Sequence, residues 1–215
     1  MLSGQKNNSL IIENQYFGCV NYYSSLFSGL NIVIEQCETY QKAGFRNRCI
    51  LAGSNGLINL TVPLENGRDQ KCSVKEVRIS KRNSWQQQHW RTIFSCYGNS
   101  PFFEFYSDWL EGFYQKEFLW LFDMNLEVLF WLKKVLVIPG DISFSETFIK
   151  ECPANMADLR NQWVPKNFQQ KDSSIKYAQV FEEKIGFQPN LSILDILFCE
   201  GPQSSQLLKA GISHF

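Results

Sequence analysis

Two short apolar runs, Leu10-Ile11-Ile12 and Ile32-Val33-Ile34, bracket a stretch from Cys19 to Leu26 with helical spacing, and that order constrains the chain more than any other feature. It reads as strand, helix, strand. A crossover of this length between two buried strands favours a parallel pair with a right-handed connection. Such units place ligands at the carboxyl ends of the strands, beside the start of the helix. Gln15, Tyr16 and Gly18 fall at the first such end, and Glu35 to Lys42 at the second.

Arg48 to Ala52 and Leu57 to Leu64 flank Gly53-Ser54-Asn55-Gly56, and an Asn-Gly step between two β-rich runs predicts a hairpin. Val74 to Ser80, where Val77 and Ile79 alternate with charged residues, predicts a further strand with one face in water. From Ser84 the pattern turns helical. Ser84 with Gln87 three residues on suggests a capping box, for a helix that reaches Tyr97 before Gly98-Asn99-Ser100-Pro101 stops it. A second helix is expected over Pro101 to Gln115, with Phe102, Tyr106, Trp109 and Phe113 as its inner stripe, and a third over Leu119 to Val135. Residues 139 to 176 carry less pattern, and the polar stretch from Val164 to Ser174 is expected to be a mobile loop. Order returns over Tyr177 to Ile185 and Leu191 to Phe198. The fold class expected is α/β, or α+β: an N-terminal βαβ unit and a β-hairpin sheet, followed by a mainly helical half. With 215 residues and no linker-like stretch, one domain over 1–215 is expected.

Charge narrows the function. Lys plus Arg equals Asp plus Glu at 21 each, so no bulk field favours nucleic acid or a membrane surface, and any anion site must be local. Seven cysteines stand singly with no CxxC, which argues against a disulfide framework or a structural zinc site and for reduced core thiols. The N-terminal residues lack an apolar run before Leu10, so a cytoplasmic protein is expected. Asp123, Asn125, Glu127, Lys133 and Lys134 interrupt the apolar stretch from Phe118 to Ile138, making it a core helix and not a membrane span.

The side chains best suited to an anion lie between residues 40 and 48. Tyr40, Gln41 and Lys42 precede Arg46 and Arg48, which stand two apart at the start of a strand, so their guanidinia would point to one face if the strand has already begun. Paired guanidinia suit phosphate or carboxylate; an exposed face pairing with acids is the ordinary alternative. His89 falls on the inward face of its helix with Trp85, Ile93 and Cys96. It is either a satisfied core residue, the commoner case, or a general acid or base at a pocket wall. Asn125 projects toward the apolar side of its helix and must find partners, in a backbone turn or in a substrate. Asn99, in its turn, is similarly ambiguous. Asp195, among Leu191, Ile193, Leu194, Ile196 and Leu197, needs a specific partner or caps its short helix. His214 is expected to fray. No glycine-rich phosphate loop, GxSxG, HExxH or metal-spaced cluster is present, so neither a metal nor another cofactor is called for.

These residues together resemble the WbqC-like family, found largely in bacterial loci for O-antigen and other surface-polysaccharide biosynthesis. The landmarks are Tyr16-Phe17 with Tyr22-Tyr23, Tyr40-Gln41-Lys42, Arg46-Asn47-Arg48, Asn55-Gly56, Leu60-Thr61-Val62-Pro63, Trp85 with His89, Tyr97 with Ser100-Pro101, Leu121 with Asn125, and Leu191 to Leu197 before Gly201. Gly18-Cys19, where many relatives carry prolines, and a shortened segment before the C-terminal motif are departures. The resemblance implies group transfer onto activated sugars, including aminoacyl transfer. The expected function is therefore a transferase acting on a phosphorylated or nucleotide-activated small molecule, with Lys42, Arg46 and Arg48 holding the anion, Tyr16, Tyr40, Gln41 and Asn99 also contacting substrate, and His89, Asn125 and Asp195 as catalytic candidates. The alternative is a non-catalytic binding or assembly protein of the same pathway, using the aromatic stripe as a partner surface.

Overall fold

The computed structural model describes residues 8–67, 71–81, 84–170 and 175–214, with side chains as far as Ile212. The opening reads as its sequence dictates: β1 (Ser9–Glu13), α1 (Val20–Ser25) and β2 (Asn31–Glu35), with β1 and β2 parallel and in register from Ser9↔Asn31 to Glu13↔Glu35. The apolar runs are buried because both faces of the sheet are covered; Leu10, Ile11, Ile12, Ile32 and Ile34 are each at most 1% exposed. Next come β3 (Arg48–Gly53) and β4 (Gly56–Thr61), an antiparallel hairpin closed at Gly53↔Gly56. The helical half holds α2 (Trp85–Tyr97), α3 (Phe103–Gln115) and α4 (Leu121–Leu136). The chain then supplies β5 (Ile142–Phe144) and β6 (Met156–Asp158), and ends in α5 (Glu182–Ile185), α6 (Ile193–Glu200) and α7 (Ser204–Ala210). The four parallel strands lie in the order β5-β2-β1-β6, and one continuous cluster of buried apolar side chains runs from the sheet into the helices. The architecture is mixed α/β. Among the described residues no helix is long and apolar enough to cross a membrane, and all seven cysteines are free thiols.

Several local expectations need correcting. Val74 to Ser80 is not a strand. Val74–Glu76 forms a 3₁₀ turn, and the remainder makes only single bridges, Leu64↔Ile79 and Arg78↔Trp120, because it meets a different neighbour on each side. The capping box belongs to this turn, where Ser73 Oγ accepts from the Lys75 amide and Glu76 Oε2 from the Ser73 amide; Ser84 makes no side-chain cap. On α3 the buried face is Phe103, Leu110, Phe113 and Tyr114, whereas Tyr106 and Trp109 are half-buried. The amide of Phe102 donates to the Phe198 carbonyl, which holds it just outside the helix and rotates the stripe. Tyr177 to Ile185 is ordered as expected, as an irregular segment and a turn that lead into the single helical turn of α5. The expected mobile loop falls partly on residues 171–174, which, like the side chain of His214, lie outside the described residues. β5 and β6 have no sequence signal at three residues each, yet they complete the sheet edge on which the site is built.

Candidate functional site

All four parallel strands end in or just before an acid or hydroxyl that matters. β1 ends at Glu13 and β2 at Glu35, directly opposite each other in the register, while β6 ends at Asp158 and Ser145 follows β5. Glu13 and Glu35 are at most 1% exposed, and their oxygens are fully engaged. Glu13 accepts from Gln15 Nε2 (2.7 Å) and from the backbone amide of Asn161 (2.8 Å). Glu35 accepts from the Cys37 amide (2.8 Å), Ser145 Oγ (2.6 Å), the Ile149 amide (3.2 Å) and Arg160 Nη1 (3.1 Å). Arg160 also forks onto Asp158, Nε to Oδ1 at 2.9 Å and Nη2 to Oδ2 at 2.6 Å, which holds that carboxyl below the usual carboxylate range.

Behind this edge lies a second ion pair. Arg46, fully buried, donates from Nε (2.8 Å) and Nη2 (2.5 Å) to one oxygen of Glu38, Oε1, and from Nη1 to Asn161 Oδ1 (2.9 Å). The guanidinium can enter because residue 44 is glycine: a Cβ there would lie 2.9 Å from Arg46 Nη1. Asn161 joins Glu13, to which its amide donates, to Arg46, from which its Oδ1 accepts, and does so from a left-handed backbone at φ 55°, a conformation asparagine tolerates better than most residues. Burial raises the proton affinity of Glu38; Arg46 opposes the shift and the neighbouring Glu13 and Glu35 add to it. A cleft of about 610 Å³ opens over this edge. Cys37, Glu38, Thr39 and Gln41 from the β2 exit line it, together with Asp158, Arg160 and Asn161 from the β6 exit and Phe148. The Arg160 guanidinium sits 5.6 Å from the Phe148 ring centre. Glu38 Oε2 accepts no hydrogen bond among the described residues, so an acid that lines the cleft keeps one carboxylate oxygen without a donor there.

Of the residues singled out in the sequence, Gln41 lines the cleft; Tyr40 and Lys42 flank it in the chain. Arg46 and Arg48 do not share a strand face, since β3 begins only at Arg48 and Arg46 belongs to the preceding turn. Arg48 is half-buried, and its Nε has no acceptor among the described residues. Tyr40, between the two charges, has its proton affinity raised by burial and eased back by Arg46 and Arg48. Asn125 lies one layer behind, donating to the Arg46 carbonyl at 2.7 Å. His89 and Tyr16 are in the core. Tyr16 Oη meets His89 Nδ1 at 2.9 Å and Tyr114 Oη at 2.5 Å, while burial lowers the imidazole to about 4 against a partial restoring bond to the Thr61 carbonyl. Asp195 is fully buried elsewhere, accepting from Tyr97 Oη (2.7 Å), Tyr177 Oη (2.6 Å) and Gln179 Nε2 (3.1 Å); burial raises its proton affinity against those three donors. Asn99 is exposed in the α2–α3 turn. His89, Asn125 and Arg48 therefore do not converge on the cleft.

Sequence reasoning passed over Glu13, Glu35, Glu38, Asp158, Arg160 and Asn161. For Glu13 and Glu35 a signal existed, since each acid closes an apolar run at a carboxyl strand end, where a parallel unit concentrates its ligands. Asp158, Arg160 and Asn161 follow a three-residue strand with no pattern of its own.

Among described residues no cluster of three or more His, Cys, Asp or Glu is disposed to hold a metal ion. What the cleft can do is bind a polar molecule and exchange a proton with it. No solved structure matches the chain. It is 24% identical to a Mycobacterium tuberculosis protein described as "Uncharacterized protein Rv1507c", across 93% of this chain and 96% of that one. Residues 14–162 and 153–207, which carry β2, β5 and β6 of the parallel sheet, the hairpin, the residues that line the cleft and the C-terminal Asp195 network, match the WbqC-like protein family, and the chain belongs to that family.

Proposed function

We propose that the chain is a transferase acting on an activated sugar, acyl or aminoacyl precursor of cell-surface polysaccharide, and that it works in the cleft over the carboxyl edge of the parallel sheet. The observation that carries this reading is Glu38, a cleft-lining acid 4% exposed, pinned through one oxygen by Arg46, its other oxygen without a donor among the described residues, and its proton affinity raised by burial. A carboxylate so held is suited to take a proton from an attacking hydroxyl or amine. Arg46 spends Nε, Nη1 and Nη2 on Glu38 and Asn161, and Arg48 lies outside the cleft lining, so the reading rests on Glu38 and not on the paired guanidinia. His89 and Asp195, each tied into a buried network, serve as supports of the core on this reading.

The test is a thermal-shift screen against nucleotide sugars, nucleoside phosphates and aminoacyl donors, run beside Glu38→Gln and Arg48→Ala. A ligand at a hundred times its Kd adds about 2.7 kcal/mol of stability. A stabilising ligand whose effect is lost in Glu38→Gln is expected; one that is lost only in Arg48→Ala, or is indifferent to both, would remove the site from the cleft. The non-catalytic reading has one observation in its favour, the exposure of Phe105 (77%) and Phe130 (48%) beside the half-buried Tyr106 and Trp109. It gains if a well-folded protein responds to no donor class.

A further inference from the structure

We infer that the cleft over the sheet edge receives a ligand through a protonated primary amine, seated against Glu38 Oε2. The inference rests on reading this cleft as the working site, and it adds the chemistry of the group bound there. Four carboxylates meet two guanidinia in two neighbouring networks, Glu38 and Glu13 with Arg46 through Asn161, and Glu35 and Asp158 with Arg160, so each holds one carboxylate more than it has guanidinia. Three of the acids are at most 4% exposed. An excess of buried negative charge is unfavourable unless a cation joins it. The excess has a definite address. Glu13 and Glu35 have donors on both oxygens, and Asp158 is forked by Arg160, whereas Glu38 gives both Arg46 bonds to Oε1 and leaves Oε2 without a donor among the described residues.

Other occupants fit less well. A phosphate entering here meets no spare guanidinium, because Arg160 directs Nε to Asp158, Nη1 to Glu35 and the Ile149 carbonyl, and Nη2 to Asp158 and Cys152 Sγ, while Arg46 is equally committed. An ammonium group brings three donors and one positive charge. Glu38 Oε2 takes one donor, and the side chains of Thr39 and Gln41 on the same wall offer further acceptors. A hydroxyl could use the same oxygen but would leave the charge excess in place.

The experiment is calorimetric titration of the full chain with glucosamine and ethanolamine, matched against N-acetylglucosamine and glucose 1-phosphate. The amines are expected to bind, and N-acetylation to weaken glucosamine by at least about tenfold, the worth of one charge-assisted hydrogen bond. Gln41→Lys places a competing cation at an exposed position of the cleft wall and should weaken amine binding without disturbing the core; Asp158→Asn should weaken it too. Glu38→Gln, which keeps an oxygen for Arg46, should abolish it. Equal binding of glucosamine and its N-acetyl form, or no amine binding at all, overturns the inference. Tighter binding of glucose 1-phosphate that strengthens in Gln41→Lys also overturns it, while leaving the cleft as the working site. Binding that none of the three variants alters overturns both the inference and the proposed function.

Discussion

Replacing Arg46 with Met separates a site guanidinium from a structural one. The side chains of Arg46 and Glu38 are 1% and 5% exposed, so the pair is buried, and Met roughly preserves volume and leaves little cavity. Breaking a buried ion pair by removing one partner costs about 3–5 kcal/mol, because the other charge is left uncompensated. Asn161 Oδ1 also loses its donor at 2.9 Å, which adds about 1 kcal/mol. Against a total stability of about 5–15 kcal/mol, the variant should fold but with a urea midpoint lowered by roughly 2 M, for a slope of about 2–3 kcal/mol/M. The sign of the pH dependence follows from Glu38. Its folded-state proton affinity is already raised, and losing Arg46 raises it further, so the stability tied to its neutral form is present in acid and lost as pH rises through the folded pKa. The deficit of Arg46→Met should therefore be smallest in mildly acid buffer and grow toward neutrality. Glu38→Leu combined with Arg46→Met should recover much of the loss, giving a coupling of at least about 2 kcal/mol in a double-mutant cycle. A cost for Arg46→Met below about 1 kcal/mol, as for an exposed pair, would refute the reasoning, and so would simple additivity.

His89→Gln should leave turnover intact if His89 only supports the core. Wild-type stability should fall by about 3 kcal/mol as pH drops from 6.5 toward 4, since a histidine with a depressed folded pKa loses its contribution on acidification, and the variant should flatten that slope in pH-dependent denaturant melts. Asp195→Ala orphans the hydroxyl donors of Tyr97 and Tyr177 and should cost about 3–5 kcal/mol by urea unfolding. Asp195→Asn should cost less, and least at high pH, where the buried carboxylate with its raised proton affinity no longer gains from being neutral. Gly201→Ala should lower thermal stability by about 2–4 kcal/mol, because φ there is 52° and a Cβ would stand 2.3 Å from the Phe102 ring; an unchanged melting temperature would refute the close packing.

The opening βαβ unit, the hairpin at Asn55-Gly56 and the three long helices were legible because each carries its own period, turn or stop residue within a dozen positions. Local pattern also brought out the polar residues that sit in apolar surroundings, His89, Asn125 and Asp195, and all three are buried with partners. What pattern could not supply was the identity of those partners. Tyr16 and His89 are 73 positions apart, Tyr97 and Asp195 98, and Arg46 and Asn161 115. Arg46 and Arg48 show the same limit, for two arginines at strand spacing suggest one anion-binding face, yet the strand starts one residue after Asn47 and sends the first guanidinium inward to Glu38.

By itself, then, the sequence determined the strands β1 to β4, the helices α1 to α4 and the parallel edge over which the proposed site lies, since these follow from hydrophobic period, turn residues and the hand of a parallel crossover. Only the tertiary structure decided which charges meet there. β5 and β6 are too short to have a period, and they are held in place by hydrogen bonds to β2 and β1, so the convergence of Asp158, Arg160 and Asn161 on Glu13, Glu35 and Glu38 exists only once the sheet has closed around them.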